Sequence, residues 1–237
     1  MKSKWMSAAA ISLTSMAVTG AAGAQERDQV NNAGDEKSRD LPPATHAVEL
    51  TVGTGYAQGF GDVGSGVPKL TDMGQAGGAV QVGVGYRLIP QLTLGVYGAG
   101  AMFSRSDQID TSSNLYSASA GVQADWHFLP SRHEFDPWVS LGAGWRGYWI
   151  NADQGTTSLH GLQLAKLQVG VDYRVAPAIS ISPVVGADMS MFLTESTPGS
   201  NGYRNIANPN VNTFLFAGLM GRFDIPTESS ESRVASR

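Results

Sequence analysis

The chain has 237 residues, of which 15% are charged, 29 are Gly and none is Cys, and its formal net charge is −4. That length suits one domain with short tails, and the absence of Cys excludes a disulfide scaffold, a thiolate metal site, a thiol nucleophile and a lipid-modified Cys. Acidic and basic residues are spread along the chain, so there is no basic footprint for nucleic acid.

Lys2 and Lys4 open the chain as a basic patch, and residues 5–18 are mostly apolar and small. Ala22-Gly23-Ala24 fits the small-x-small cleavage rule, so residues 1–24 read as an export signal with Gln25 as the mature start. The apolar run is too short and too rich in Ser, Thr and Ala for a membrane anchor, and no later segment approaches the ~18 apolar residues of a spanning helix. Residues 25–45 are polar, end near Pro42-Pro43 and are expected to be flexible, as is the tail 226–237.

Between them the spacing predicts eight strands, over 46–60, 78–89, 91–104, 115–129, 137–151, 159–175, 178–194 and 211–225. Each exceeds the ~5–6 residues common in soluble sheets and suffices for a tilted membrane strand of ~9–11. The alternation has period two. In the second segment Val80, Val82, Val84 and Tyr86 oppose Gln81, Gly83, Gly85 and Arg87. In the fourth, Tyr116, Ala118, Ala120, Val122, Ala124 and Trp126 oppose Ser117, Ser119, Gly121, Gln123, Asp125 and His127. The sixth alternates cleanly only from Lys166 onward, and its first half slips phase, as a bulge would cause. The seventh sets Ile179, Ile181, Val185 and Met189 against Ser180, Ser182, Gly186, Asp188 and Ser190. Short connections follow the second, fourth and sixth segments, at Ile89-Pro90-Gln91, from Pro130 to Asp136, and at Ala176-Pro177. Longer ones follow the first, third, fifth and seventh, over 61–77, 105–114, 152–158 and 195–210. Such segregation is the habit of outer-membrane barrels, which have short periplasmic turns and longer extracellular loops.

Periodicity cannot tell a soluble barrel from its inverted membrane counterpart, but composition can. The polar face is poor in Lys and Glu and rich in Gly, Ser and Gln, whereas a water-facing surface carries about 25–35% charged residues. Tyr86, Trp126, Phe128, Tyr173 and Phe223 gather at one set of strand ends and Trp149 at the other, as interfacial girdles do. The fold expected is therefore all-β, an eight-stranded antiparallel up-and-down transmembrane β-barrel. Its lumen should hold Glu49, Arg87, Asp125, Arg146, Lys166, Asp172, Arg174, Asp188 and Arg222 as a paired charge network. Arg146 and Asp125 share the polar face of adjacent strands and are expected to pair.

The chain resembles the small outer-membrane β-barrel families, the group that includes the OmpA-type transmembrane domain. The resemblance covers residues 46–225 and rests on the signal, the eight segments and strand-plus-turn units such as Val82-Gly83-Val84-Gly85-Tyr86-Arg87-Leu88. It implies insertion into outer-membrane lipid by barrel-assembly machinery that reads an aromatic-ended last strand. Phe214-Leu215-Phe216-Ala217-Gly218-Leu219-Met220-Gly221-Arg222-Phe223 is similar to that signal, although a tail follows it. OmpA-type proteins often carry a peptidoglycan-binding domain, for which these residues leave no room, so wall anchoring is not carried over.

Chemistry-bearing patterns are sparse. No two of His46, His127, His133 and His160 share ligand spacing on one strand face, so no metal site is expected. His127 and Asp125 lie on one face some ~7 Å apart, without a partnered nucleophile, and neither enzyme nor cofactor is expected. The function anticipated is a structural or interaction barrel with a charge-plugged lumen, whose extracellular loops carry any ligand specificity. The alternatives are a narrow porin-like channel for small solutes and a lipid-modifying outer-membrane enzyme.

Overall fold

The computed structural model describes residues 46–105, 114–129, 135–176, 178–200 and 202–226. The expected signal peptide over 1–24, the polar segment 25–45 and residues 227–237 lie outside the described residues. Among those described, the long elements are β1 (Ala47–Phe60), β2 (Gly74–Ile89), β3 (Leu92–Arg105), β4 (Asn114–His127), β5 (Phe135–Ala152), β6 (Gly155–Ala176), β7 (Ile179–Ser196) and β9 (Val211–Pro226). The short ones are α1 (Leu70–Met73) and β8 (Arg204–Asn205). Every long strand pairs antiparallel with its neighbours in the chain, and β9 pairs with β1, so the eight long strands close into a barrel. Closure matters physically because an open edge in hydrocarbon would leave backbone N–H and C=O groups unsatisfied.

The side-chain distribution is inverted relative to a soluble protein. Val80, Val82 and Val84 are each more than half exposed, whereas Gln81 between them is 6% exposed. The same holds in β4, where Val122 and Trp126 face outward and Ser117, Ser119, Asp125 and His127 are buried. An apolar outer surface around a polar interior needs an apolar solvent. The expected aromatic girdle is present, with Tyr86, Trp126, Phe128, Tyr173 and Phe223 exposed near one end. Val84→Arg is therefore expected to cost about 2–4 kcal/mol of folding stability, measured by denaturant unfolding in lipid vesicles. Gln81→Arg offers no mild control, because Gln81 is buried against Gln168 and lines a cavity shared with Arg146 and Lys166.

The phase slip in β6 is a bulge. Gln163 pairs with Gly144 and Lys166 with Gly142, so β6 holds one residue more than β5 across that interval. Leu164 then stays outside while Gln163 and Lys166 both point inward. Some boundaries differ from expectation. The connection expected over 152–158 is a tight turn, since Ala152 pairs with Gly155 and only Asp153 and Gln154 lie between. Gly155 adopts φ +129°, a conformation that suits Gly and lets the chain reverse there. Asp136 belongs to β5, opposite Asp172, and is not part of a turn. Pro226 pairs with Ala47 and ends β9 instead of opening the tail. β2 begins at Gly74 behind α1, so the first long connection is shorter than 61–77. Residues 106–113 of the second long connection lie outside the described residues.

Candidate functional site: the barrel interior

The interior has three levels. At the turn end, Glu49 lies under two guanidinium groups. Its Oε2 accepts from Arg87 Nη2 at 2.5 Å and its Oε1 from Arg222 Nη1 at 2.5 Å. Arg87 Nη2 also reaches Asp224 Oδ1 at 3.2 Å. Arg222 Nη1 lies 3.5 Å from Asp125 Oδ2, and its Nε lies 3.3 Å from Asp172 Oδ1, an ion-pair contact without hydrogen-bond geometry. The guanidinium stacks 4.2 Å over the buried Trp138 ring. Beside this group, His127 Nδ1 is 2.8 Å from Asp136 Oδ2 and 3.8 Å from Asp172 Oδ2. Strand register assembles the cluster: Glu49 on β1 stands level with Asp224 on β9, and Asp136 on β5 with Asp172 on β6.

The middle level is polar. Arg146 Nη2 donates to Asp188 Oδ2 at 2.5 Å. Lys166 donates to Gln123 Oε1 at 2.9 Å and sits 3.9 Å over the Tyr97 ring, whose hydroxyl donates to Gln163 at 2.8 Å. Gln168 donates to Gln81 at 3.0 Å. A cavity of about 40 Å³ remains, lined in part by Arg146, Lys166, Gln168, Asp188 and Ser119. Gln81 Nε2 and Arg146 Nε are buried without a protein partner, and the cavity is large enough for water to serve such groups.

The loop end is apolar inside as well as outside. Phe103, Leu115, Tyr148, Leu159, Phe192 and Phe214 fill the lumen, and Val63, Leu70, Met73 and Ile206 from the connections pack onto them. The first and last connections are latched together over this plug. Ser65 N–H donates to Ala207 O at 2.9 Å, Asn210 N–H to Val63 O at 3.1 Å, and Asn208 Nδ2 to Ser65 Oγ at 3.3 Å.

Eight of the nine residues expected in the lumen are buried or nearly so and joined in these contacts. Arg174, half-buried opposite Ser180, interacts electrostatically with Asp224. One pairing differs from expectation: Arg146 meets Asp188 and not Asp125. In the β4–β5 register Arg146 stands opposite Ser119 and Asp125 opposite Ser140, six residues earlier on β5. His127 meets Asp136 on the adjacent strand. Arg146→Ala should lower stability by about 2 kcal/mol, the scale of a lost charged hydrogen bond, because Asp188 borders the cavity and can be rehydrated; thermal unfolding in detergent checks this. Asp136 and Asp224 were not anticipated. Asp224 shares the phase of Arg222, which is the signal that identifies it; Asp136 was hidden by its position at a strand end next to Pro137.

No family model matches the chain, and no curated protein is similar to it. Among solved structures, Neisserial surface protein A is similar at a TM-score of 0.50, with 14% identity, over 74% of this chain and 96% of that one. The outer membrane protein OprG from Pseudomonas aeruginosa matches more loosely, with a TM-score of 0.46 and 12% identity over 76% of this chain and 98% of that one. At such identity the first of these likenesses speaks for architecture alone, and it agrees with the closed barrel. The chain has the fold of the small outer-membrane β-barrels.

Proposed function

We propose that the chain is exported by a cleaved signal peptide, is inserted into outer-membrane lipid by the barrel-assembly machinery, and serves there as a structural or interaction barrel closed to solutes. Its loop end would face outward and carry any ligand specificity. The observation that supports this reading is the filling of the lumen at two levels. Paired charges around Glu49 and Arg222 occupy one end, and the cluster around Phe214 occupies the other under latched connections. An eight-stranded barrel is only about wide enough for side chains to fill, and these residues fill it.

The second reading, a narrow channel for small solutes, is favoured by the cavity that Arg146, Lys166 and Asp188 border and by the unpartnered donors there. Planar-bilayer recording separates the two. The closed barrel shows no steady conductance across a range of salts and voltages. A stable, ion-selective conductance would replace this reading with the channel.

A further inference from the structure

His127 is the last residue of β4, Asp136 the second of β5, and Asp172 lies directly opposite Asp136 on β6. Three consecutive strands thus deliver one side chain each to the same level of the lumen. All three are buried, with 1%, 6% and 6% exposure. One ligand atom from each lies within 4.8 Å of the other two, and His127 Nδ1 is 2.8 Å from Asp136 Oδ2 and 3.8 Å from Asp172 Oδ2. The remaining carboxylate oxygens are held from behind. Asp136 Oδ1 accepts the Leu129 N–H at 2.9 Å. Asp172 Oδ1 accepts the Ser182 hydroxyl and faces Arg222 Nε at 3.3 Å. Each carboxylate is therefore oriented by an outer partner while its free oxygen turns toward the imidazole, which is how ligands are fixed in metal sites.

A second observation concerns charge. At this end the carboxylates Glu49, Asp125, Asp136, Asp172 and Asp224 outnumber the cations Arg87, Arg174 and Arg222. Buried charge is costly unless offset. His127 Nε2, Asp125 Oδ1 and Ser140 Oγ are also buried in this part of the lumen without a protein partner.

We propose that His127 Nδ1, Asp136 Oδ2 and Asp172 Oδ2 bind a divalent transition-metal ion, zinc foremost. One imidazole and two carboxylates form a recognised zinc donor set, with a fourth position for water. Calcium and magnesium need about six or more oxygens, which this site lacks. The ion takes the place of the proton between His127 and Asp136, so binding weakens as pH falls. Their 2.8 Å separation must open by a few tenths of an ångström to suit bonds of about 2.0–2.1 Å. The site lies at the strand ends opposite the latched connections.

The test uses the full chain, folded in detergent, stripped with a chelator and titrated with zinc and with cobalt(II). One zinc per chain is expected to survive dialysis, and cobalt should give the intense visible absorption of a four-coordinate ion. Asp136→Asn and Asp172→Asn should each weaken zinc binding by about 100-fold or more, beyond the loss typical of a supporting residue. The double variant His46→Gln/His160→Gln should bind as the parent does. Failure of the parent to retain zinc, a cobalt spectrum of the hydrated ion, or undiminished binding by a folded Asp136→Asn would overturn the site. If the Asn variants do not fold, the cobalt spectrum of the parent decides.

Discussion

Arg222→Ala is expected to destabilise the barrel by about 3–5 kcal/mol, the cost of breaking a buried ion pair from one side. Arg222 is 3% exposed and faces three carboxylates, those of Glu49, Asp125 and Asp172. Each has a second partner: Arg87 for Glu49, Gln123 for Asp125 and Ser182 for Asp172. None of these partners can take over the others' charge, so removal leaves negative groups crowded in a confined interior. The stacking on Trp138 is lost as well, worth about 0.5–2 kcal/mol. Arg222→Lys keeps the charge but not the planar fork and should fall between the two. Urea unfolding in lipid vesicles, followed by Trp fluorescence and gel mobility, measures the series. An Arg222→Ala barrel as stable as the parent would remove Arg222 from the centre of the network.

Phe214→Ala should cost about 3–5 kcal/mol through lost apolar contact and the cavity left behind. The ring is 2% exposed and lies among Phe103, Tyr148 and Phe192, with centroid separations of 6.3, 6.5 and 6.4 Å. The Arg146 guanidinium rests 4.0 Å from its centroid. Truncation therefore loosens the apolar plug and removes the surface on which the Arg146–Asp188 pair lies. Conductance should remain absent, because the charge cluster around Glu49 and Arg222 is untouched. The same unfolding assay and a bilayer recording check both halves of the expectation.

The fold was readable because lipid outside and polar groups inside impose opposite chemistries on successive residues. Val80, Gln81 and Val82 show that contrast at its simplest. Where the contrast fades, so did the reading. At the loop end Phe103, Leu115, Tyr148 and Phe192 are apolar yet point inward, so period two carries no label for inside and outside. The apolar plug therefore leaves no mark in the alternation. Much of the charge set could be read from phase, since Glu49 alternates with Ala47 and Thr51, and Asp125 with Gln123 and His127, on the inward face. Partner choice could not. Which carboxylate meets Arg146 depends on the stagger between strands, on the β6 bulge and on closure of β9 against β1. Those are properties of the closed barrel, to which no single strand gives a clue.

In this barrel the apolar face meets lipid and the polar face is sealed inside. Two tryptophans on one strand test it directly. Trp145 on β5 is exposed on the outer surface, whereas Trp138 on the same strand is 2% exposed beneath Arg222. Variants that retain only one of these tryptophans, with the others replaced by Phe, can be folded into vesicles of brominated lipid and their fluorescence recorded. Strong quenching of Trp145 with Trp138 spared is the predicted result. Equal quenching of the two, or quenching of Trp138 alone, would contradict the assignment of the two faces.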